Sequence, residues 1–342
     1  MGLKQYTFFT GTGSLDALIQ KNDPLAELES YIDFEMFRPA LNAAANRVEH
    51  KGPGGRPRWD LVMMFKVLVL QRIYNLSDEK TEYHIRDSLS FHRFLRLEVG
   101  DKVPDSRTIW LFRENLTNSD TIKTLFDFFN QRLLEKGVIT REGTLVDASF
   151  VTVPKQHNSK EDNALIKQGQ MPESWKDQPR VIAQKDTDAR WTVKGLTNYY
   201  GYKNHVKVDE TSKLVIDYMV TAASTNDGKI FPFLIGPEDN RVHADCAYQT
   251  PMNRMHLQQL GIENTIHVKG TSHVILTAEQ KEQNRLRSKI RARVEHVFGL
   301  ISNSMGGLHL EYINLDRITS SVGLINLIHN FLRLGQLRPV TA

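Results

Sequence analysis

The sequence predicts an α/β protein in which a mixed sheet with flanking helices follows an all-helical N-terminal region. Three observations carry this. Apolar residues recur at helical spacing from Leu15 to about Lys136. After Gly137 the period shortens to that of a strand. Beyond that point strand-like runs come first, and strands alternating with helices follow. The expected division is a helical domain over 1–137 and a sheet-containing domain over 138–338.

The elements can be justified in order. "DLVMMFKVLVLQRIYNL" is too densely apolar for a surface helix and belongs inside a helical cluster. "SDEKTEYHIRDSLSFHRFLRL" follows, with Ser77 as N-cap and acids in the first turn, where the helix dipole favours them. "DSRTIWLFRENL" and "SDTIKTLFDFFNQRLLEK" give two further helices, the second closed by Gly137. Ahead of these, "HKGPGGRPRWD" is a Gly/Pro-rich connector carrying Lys51, Arg56 and Arg58. After Gly137, "GTLVDASFVTV", "YYGYKNHVKVD" and "SKLVIDYMVTAA" read as strands, as do the short "RVHADCAY", stopping near Asp245, and "IENTIHV". "DGKIFPFLI", "TPMNRMHLQQLG", the segment from about Thr277 to Ser302 and "DRITSSVGLINLIHNFLRLG" read as helices. Between the first two strands, about 155–195 is a polar insertion without clear periodicity, the kind of segment that is functional or mobile.

At 342 residues the chain can bury a sizeable core. Its 40% apolar and 25% charged residues are those of a soluble globular protein. Cys246 is the single cysteine, so no intrachain disulfide forms and a reducing compartment fits. The longest apolar run, "LVMMFKVLVL", contains Lys66 and is too short to span a bilayer, and "MGLKQYTFFTGTG" has no apolar core of a signal peptide. The expectation is a cytoplasmic protein with no membrane partner. A net charge of +4 says little about partners until its distribution is considered.

That distribution singles out "RLRSKIRARVEHVFGL", with Arg285, Arg287, Lys289, Arg291 and Arg293 followed by one acid, Glu295. At about 100° per residue, Leu286, Ile290, Val294, Val297 and Ile301 share one arc, the expected core face. Glu295 lies away from it, with Arg291, Ser288 and Ser302. By itself this reads as a surface ion pair one turn long, since such pairs are common and weak. Asp147, in "LVDASF", stands in an otherwise apolar strand, where an unpaired carboxylate is costly and calls for a cation or metal. Asp245, in "HADCAY", ends another apolar strand, where active-site groups of α/β sheets gather. A turn-forming or helix-capping aspartate would look the same.

The order Asp, Asp, Glu along strand, strand and helix resembles the DDE arrangement of ribonuclease-H-like nucleotidyl transferases. The phrases "KVLVLQRIYNLSDEKTEYHIRDSLSFHRFL", "KVPDSRTIWLFRENL", "LVDASFVTVPKQ", "QKDTDARWTVK", "YYGYKNHVKVD", "ADCAYQT" and "RARVEHVFG" are similar to those of bacterial insertion-sequence DDE transposases of the IS-five group, in family order and over most of the chain. The resemblance implies a ribonuclease-H-like fold and a DNA transposase that binds its element's terminal inverted repeats, cuts there and joins the ends to target DNA. It implies that Asp147, Asp245 and Glu295 are catalytic and bind two Mg²⁺ ions, or Mn²⁺. Such hard ions take oxygen ligands and support in-line displacement at phosphorus. Double-stranded DNA and a homodimer formed on it are the implied partners, and the bacterial nucleoid the implied place of work.

On this reading Arg285, Arg287, Lys289, Arg291 and Arg293 contact phosphates beside the metal site, and Arg190 and Trp191 of the insertion clamp or stack on the cleaved end. In the N-terminal helices Arg86, His92 and Arg93 are further candidates for DNA contact. One departure stands out. Related transposases place Tyr and Lys where this chain has Ser288 and Ser302. That departure keeps two alternatives open: a catalytically impaired, transposase-derived DNA-binding protein, and a structure-selective ribonuclease-H-like nuclease.

Overall fold

The computed structural model describes residues 23–45, 58–98, 100–268, 270 and 275–337. The stretch from Leu15 to Asn22, together with Lys51 and Arg56 of the connector, lies outside them. Helices α1 (Pro24–Tyr31) and α2 (Arg38–Ala44) flank a 3₁₀ turn, Phe34–Phe37. They are followed by α3 (Leu61–Ile73), α4 (Asp78–Asp87), α5 (Leu89–Leu95), α6 (Ser106–Asn118) and α7 (Thr121–Glu135). Helix α3 is buried almost all round, as its composition requires. Its one lysine, Lys66, is accommodated by an ion pair with Glu29 at 2.7 Å and a bond to the Phe94 carbonyl at 3.0 Å. Ser77 caps α4 by accepting from the Lys80 N–H. The single run expected from Ser77 breaks at Ser88, whose hydroxyl caps α5 instead. Gly137 closes α7 at φ +68°, a left-handed conformation glycine adopts without a steric penalty.

The sheet comprises β1 (Thr144–Thr152), β2 (Arg190–Lys194), β3 (Thr197–Asp209), β4 (Val215–Ala222), β5 (Arg241–Ala244) and β6 (Glu263–Asn264). Strand β3 pairs antiparallel with β1, β2 and β4. On the other edge of β1, β5 runs parallel, and β6 runs parallel to β5. Antiparallel strands followed by parallel additions beside β1 form the mixed sheet the sequence predicts. Helices α11 (Asp227–Leu234), α12 (Pro251–Leu260), α13 (Ala278–Ser304) and α14 (Leu315–Leu337) surround it.

Two stretches differ from expectation. The insertion folds into three short helices, α8 (Lys160–Lys167), α9 (Glu173–Lys176) and α10 (Pro179–Ile182), before β2. Four-residue helices complete barely one turn, so they leave no apolar period to read. Trp175 anchors them, buried and covered by the Lys185 ammonium at 4.9 Å from its ring. The strand expected over "IENTIHV" is regular for only two residues: the Asn264 side chain takes the Ile266 N–H, while the Thr265 and His267 N–H groups still donate to the Val242 and Ala244 carbonyls of β5.

One hydrophobic core runs from Leu25 in α1 to Phe331 in α14, joining the N-terminal helices to the antiparallel part of the sheet. A smaller cluster lies under α11, β5 and α12. Helix α14 is buried along most of its length, against α7 and β4. Buried asparagines fix it there. Asn330 accepts from the Val215 N–H at 2.8 Å and donates to the Val215 carbonyl at 2.8 Å and to Asn130 Oδ1 at 2.9 Å.

Candidate active site

Strand β1 is the central element of the site. Because β1 and β5 are parallel with Val146 opposite Ala244, the next residues on each, Asp147 and Asp245, leave neighbouring strands at the same height. Asp245 is already past the strand end and its carboxylate accepts from the Cys246 N–H at 2.6 Å. Cys246 itself is half-buried. Asp147 Oδ1 accepts from the Ala148 N–H at 2.8 Å, while Oδ2 faces Arg291 Nη1 of α13 at 3.4 Å. The same Nη1 lies 4.0 Å from Glu295 Oε1, one turn further along α13. A single guanidinium therefore stands between Asp147 and Glu295, residues 148 positions apart in sequence.

The electrostatics follow from this placement. Burial pushes the Asp147 carboxyl up to about 6. The Ala148 N–H and Arg291 oppose that shift, and the negative charge of Glu295 adds to it. Tyr248 is raised well above the usual phenol range, first by burial and then by the negative charges of Asp147, Asp227 and Asp245. Its hydroxyl is buried without a hydrogen-bond partner. An orphaned donor facing clustered carboxylates marks a place designed around ions or water.

These residues fit a hard divalent cation by chemistry, since the three carboxylates offer oxygen donors only. Their spacing is wider than one coordination sphere. Among the described residues no group of three His, Cys, Asp or Glu is close enough to hold a metal ion as it stands. Arg291 supplies the positive charge between two of the carboxylates instead.

The basic residues of α13 separate around the helix. Arg287 donates to the Ile266 carbonyl at 2.8 Å, on the side of Arg291 and Glu295. Arg285 pairs with Glu282 on the exposed side, at 2.6 Å, and Lys289 is exposed. Arg293 reaches the opposite way, to the Glu210 carbonyl at 3.1 Å and its carboxylate at 3.4 Å. Ser288 donates back to the Asn284 carbonyl at 2.8 Å, and Ser302 is exposed. In the insertion, Arg190 is engaged by three backbone carbonyls, those of Thr187, Ala189 and Ile166. Trp191 is half exposed, tilted against Tyr200 and covered by Lys155. Among the N-terminal candidates Arg86 pairs with Glu82, Arg93 with Asp23 and Glu29, and His92 is buried.

Neighbours that sequence reading missed are Lys194, Lys203, Asp227, Tyr248 and His267. Lys194 is close enough to lower the Asp147 pKa. Lys203 pairs with Asp227 at 2.7 Å. His267 feels the charges of both Arg291 and Asp245, and its Nε2 lies 3.1 Å from the Ser288 hydroxyl. Only Asp227 left a signal, as a first-turn acid after the N-cap Asn226. His205, by contrast, is fully buried and held at the Thr221 hydroxyl, with burial pushing it down to about 4.

Asp147 within β1, Asp245 just past the end of the parallel neighbour β5 and Glu295 on the covering helix α13 form a set of oxygen donors of the kind that suits metal-dependent chemistry at phosphate esters. Residues 139–331 match the family model described as "Transposase DDE domain", and residues 13–115 match "Transposase domain (DUF772)". The chain belongs to the DDE transposase family and is a DNA transposase, an enzyme whose family depends on a divalent metal. Among solved structures, it is similar to piggyBac transposase in a synaptic complex with hairpin DNA, at 11% identity and a TM-score of 0.46, covering 94% of this chain and 76% of that one. It is also similar to Mos1 transposase in a paired-end complex with the left transposon end, at 12% identity and a TM-score of 0.20, covering 85% of this chain and 93% of that one. No helix among the described residues is long and apolar enough to cross a membrane.

Proposed function

We propose that the chain binds the terminal inverted repeats of its own insertion sequence, cleaves at the element ends and joins them to target DNA, with Asp147, Asp245 and Glu295 as the catalytic carboxylates. The observation that carries this is the convergence of β1, β5 and α13, with Arg291 lying between Asp147 and Glu295. Two Mg²⁺ ions, or Mn²⁺, held by these carboxylates would activate the attacking oxygen and stabilise the leaving one. In the first step water attacks phosphorus, the bond to the 3′-oxygen breaks, and a free 3′-hydroxyl remains. In the second, that hydroxyl attacks a target phosphodiester and a target oxygen leaves in its place.

The chain's residues prepare for these steps. Arg291 neutralises the carboxylates before metal arrives, and then turns to a DNA phosphate. Arg287 and Lys289 add phosphate contacts along α13, and Arg285 does so once released from Glu282. Trp191 offers a stacking face, and Lys194 adds positive charge near Asp147. Residues 1–137 hold the repeat, two copies act together on a pair of ends, and the work is done at the bacterial nucleoid.

The test uses the native gene with flanking DNA as a linear substrate, incubated with wild type or Asp245→Asn in Mg²⁺ or EDTA. Cuts at repeat boundaries that need both metal and Asp245 are expected. Asp147→Asn and Glu295→Gln should bind DNA normally and not cut, and a variant cutting at near wild-type rate is not part of the site. A second reading, a DNA-binding protein with impaired catalysis, is favoured by Ser288, whose hydroxyl is turned onto its own helix. Binding with no cut in either metal would select it. Cutting of branched or hybrid substrates without preference for repeats would select a nuclease.

A further inference from the structure

Around α13 from the carboxylates lies a second concentration of positive charge. Lys213 and Arg333 line a cavity of about 400 Å³ whose wall includes His296, Gly299, Asn303 and His329, the last kept neutral by burial, which pushes it down to about 4. None of its described lining residues is acidic. The cations are held by the fold. Lys213 sits in the tight turn between β3 and β4 at φ +62°, and Arg333 is fixed by donating to the Ser212 carbonyl at 2.8 Å and to Gln336 at 3.0 Å. Lys213 Nζ lies 3.3 Å from His296 Nδ1. The Glu210 carboxylate, reached by Arg293, is already shared with Arg241 and His243. Lys213 is accordingly pushed below the usual lysine value, by partial burial and by the charges of Arg333 and Arg293.

Like charges gathered without a counter-ion destabilise a fold unless an anion meets them. Gly299 points the same way. A glycine inside a helix costs about 1 kcal/mol relative to alanine, yet a Cβ there would meet nothing within 4 Å. The helix keeps an opening where a methyl group would fit.

We propose that this cavity binds a backbone phosphate of DNA other than the one undergoing reaction. Glu295 and His296 are adjacent in sequence and so about 100° apart around the helix. The phosphate held beside Lys213 is therefore distinct from any held at the carboxylates. The ligand chemistry is a phosphodiester, met by an ammonium, a guanidinium and an imidazole N–H. The assignment of DNA, rather than a free phosphate, rests on the chain being a DNA transposase.

The experiment measures duplex binding by the full chain in EDTA, with a labelled duplex lacking the terminal repeat, across a range of salt concentrations. The variant is Lys213→Asn, because asparagine tolerates the left-handed turn. It should lower the slope of log affinity against log salt by about 0.9, the loss of one phosphate contact, and weaken binding several-fold at physiological salt. Lys213→Arg should restore the slope, and His296→Gln, an exposed change, should weaken binding less. An unchanged slope in Lys213→Asn overturns the proposal. Thermal melting with inorganic phosphate against chloride at equal ionic strength separates the sources. Stabilisation of wild type by phosphate with an unaltered DNA slope would assign the cavity to free phosphate and overturn the DNA assignment. Because metal and the terminal repeat are absent, failure here leaves the cleavage test of Asp245 independent.

Discussion

At the scale of single residues, the decisive group is Asp147, a carboxylate on the central strand whose partner cation is shared with Glu295. Its pKa of about 6 stands above the ordinary 3.8, so the folded state holds a proton that the unfolded chain gives up at lower pH. Stability therefore falls as pH rises from about 4 to above 6, and ionised Asp147 costs the metal-free fold roughly 3 kcal/mol at most. Asp147→Asn should accordingly melt higher than wild type at pH 8 in EDTA, with the gap closing as pH approaches 4. A constant gap across that range would show that Asp147 is not the titrating group. The neighbours should move the window in opposite directions. Arg291 holds the Asp147 pKa down and Glu295 pushes it up. Arg291→Gln should shift the midpoint of the stability change to higher pH, and Glu295→Gln should shift it lower. The same melts in both variants decide the matter, and parallel shifts would mean that neither side chain faces Asp147 in solution.

At the scale of elements, α14 depends on polar groups as much as on apolar ones. Asn330 satisfies both backbone groups of Val215 at the start of β4, and Asn130 of α7 donates to the carbonyls of Val215 and Ile216. Truncating Asn330 to alanine leaves a buried N–H unpaired, which should lower stability by about 2–4 kcal/mol in urea unfolding. Asn130→Ala in the same background should cost less than it does alone, because the two amides bond to each other at 2.9 Å. Strict additivity would deny the network. These contacts join residues 200 positions apart and were invisible in the sequence, where "LINLIHNFLRL" shows only a helix interrupted by polar letters. What could be read were signals that act locally: the Ser77 cap and the Gly137 stop. The apolar arc of α13 was legible only where the helix has something to pack against. Val294, Val297 and Ile301 are buried, whereas Leu286 is 42% exposed on the projecting N-terminal half. The three acids were visible as a letter inside a strand, one at a strand end and one on a helix, but their meeting depends on the parallel register of β1 and β5, which no local pattern states. Lys194, Tyr248 and His267 reach the site through that same tertiary arrangement.

For the whole molecule, the question is whether the helical region up to Gly137 and the sheet that follows are energetically separable. The core crosses that boundary. Phe331 of α14 packs at 5.9, 5.8 and 4.9 Å from the rings of Phe34, Phe37 and Phe129, all from the N-terminal helices. Phe126 meets Tyr218 of β4 edge-on at 5.0 Å. Arg317 of α14 forms a two-pronged ion pair with Glu114 of α6. A fragment ending at residue 137 would expose the aromatic faces that Phe331 covers, and a fragment beginning there would expose most of α14. The N-terminal helices and the sheet should thus unfold as one unit, so that anything the helices hold would keep a fixed position relative to the carboxylates. The prediction is a single urea transition reported equally by Trp59 in the helical part and by Trp175 in the insertion, each as the sole tryptophan of the full chain. Phe331→Ala should lower both midpoints together, with a loss of about 3–5 kcal/mol. Two separated midpoints, with only the Trp59 transition moved by Phe331→Ala, would mean that the shared core does not couple the parts, and that the helices are free to carry DNA independently of the site.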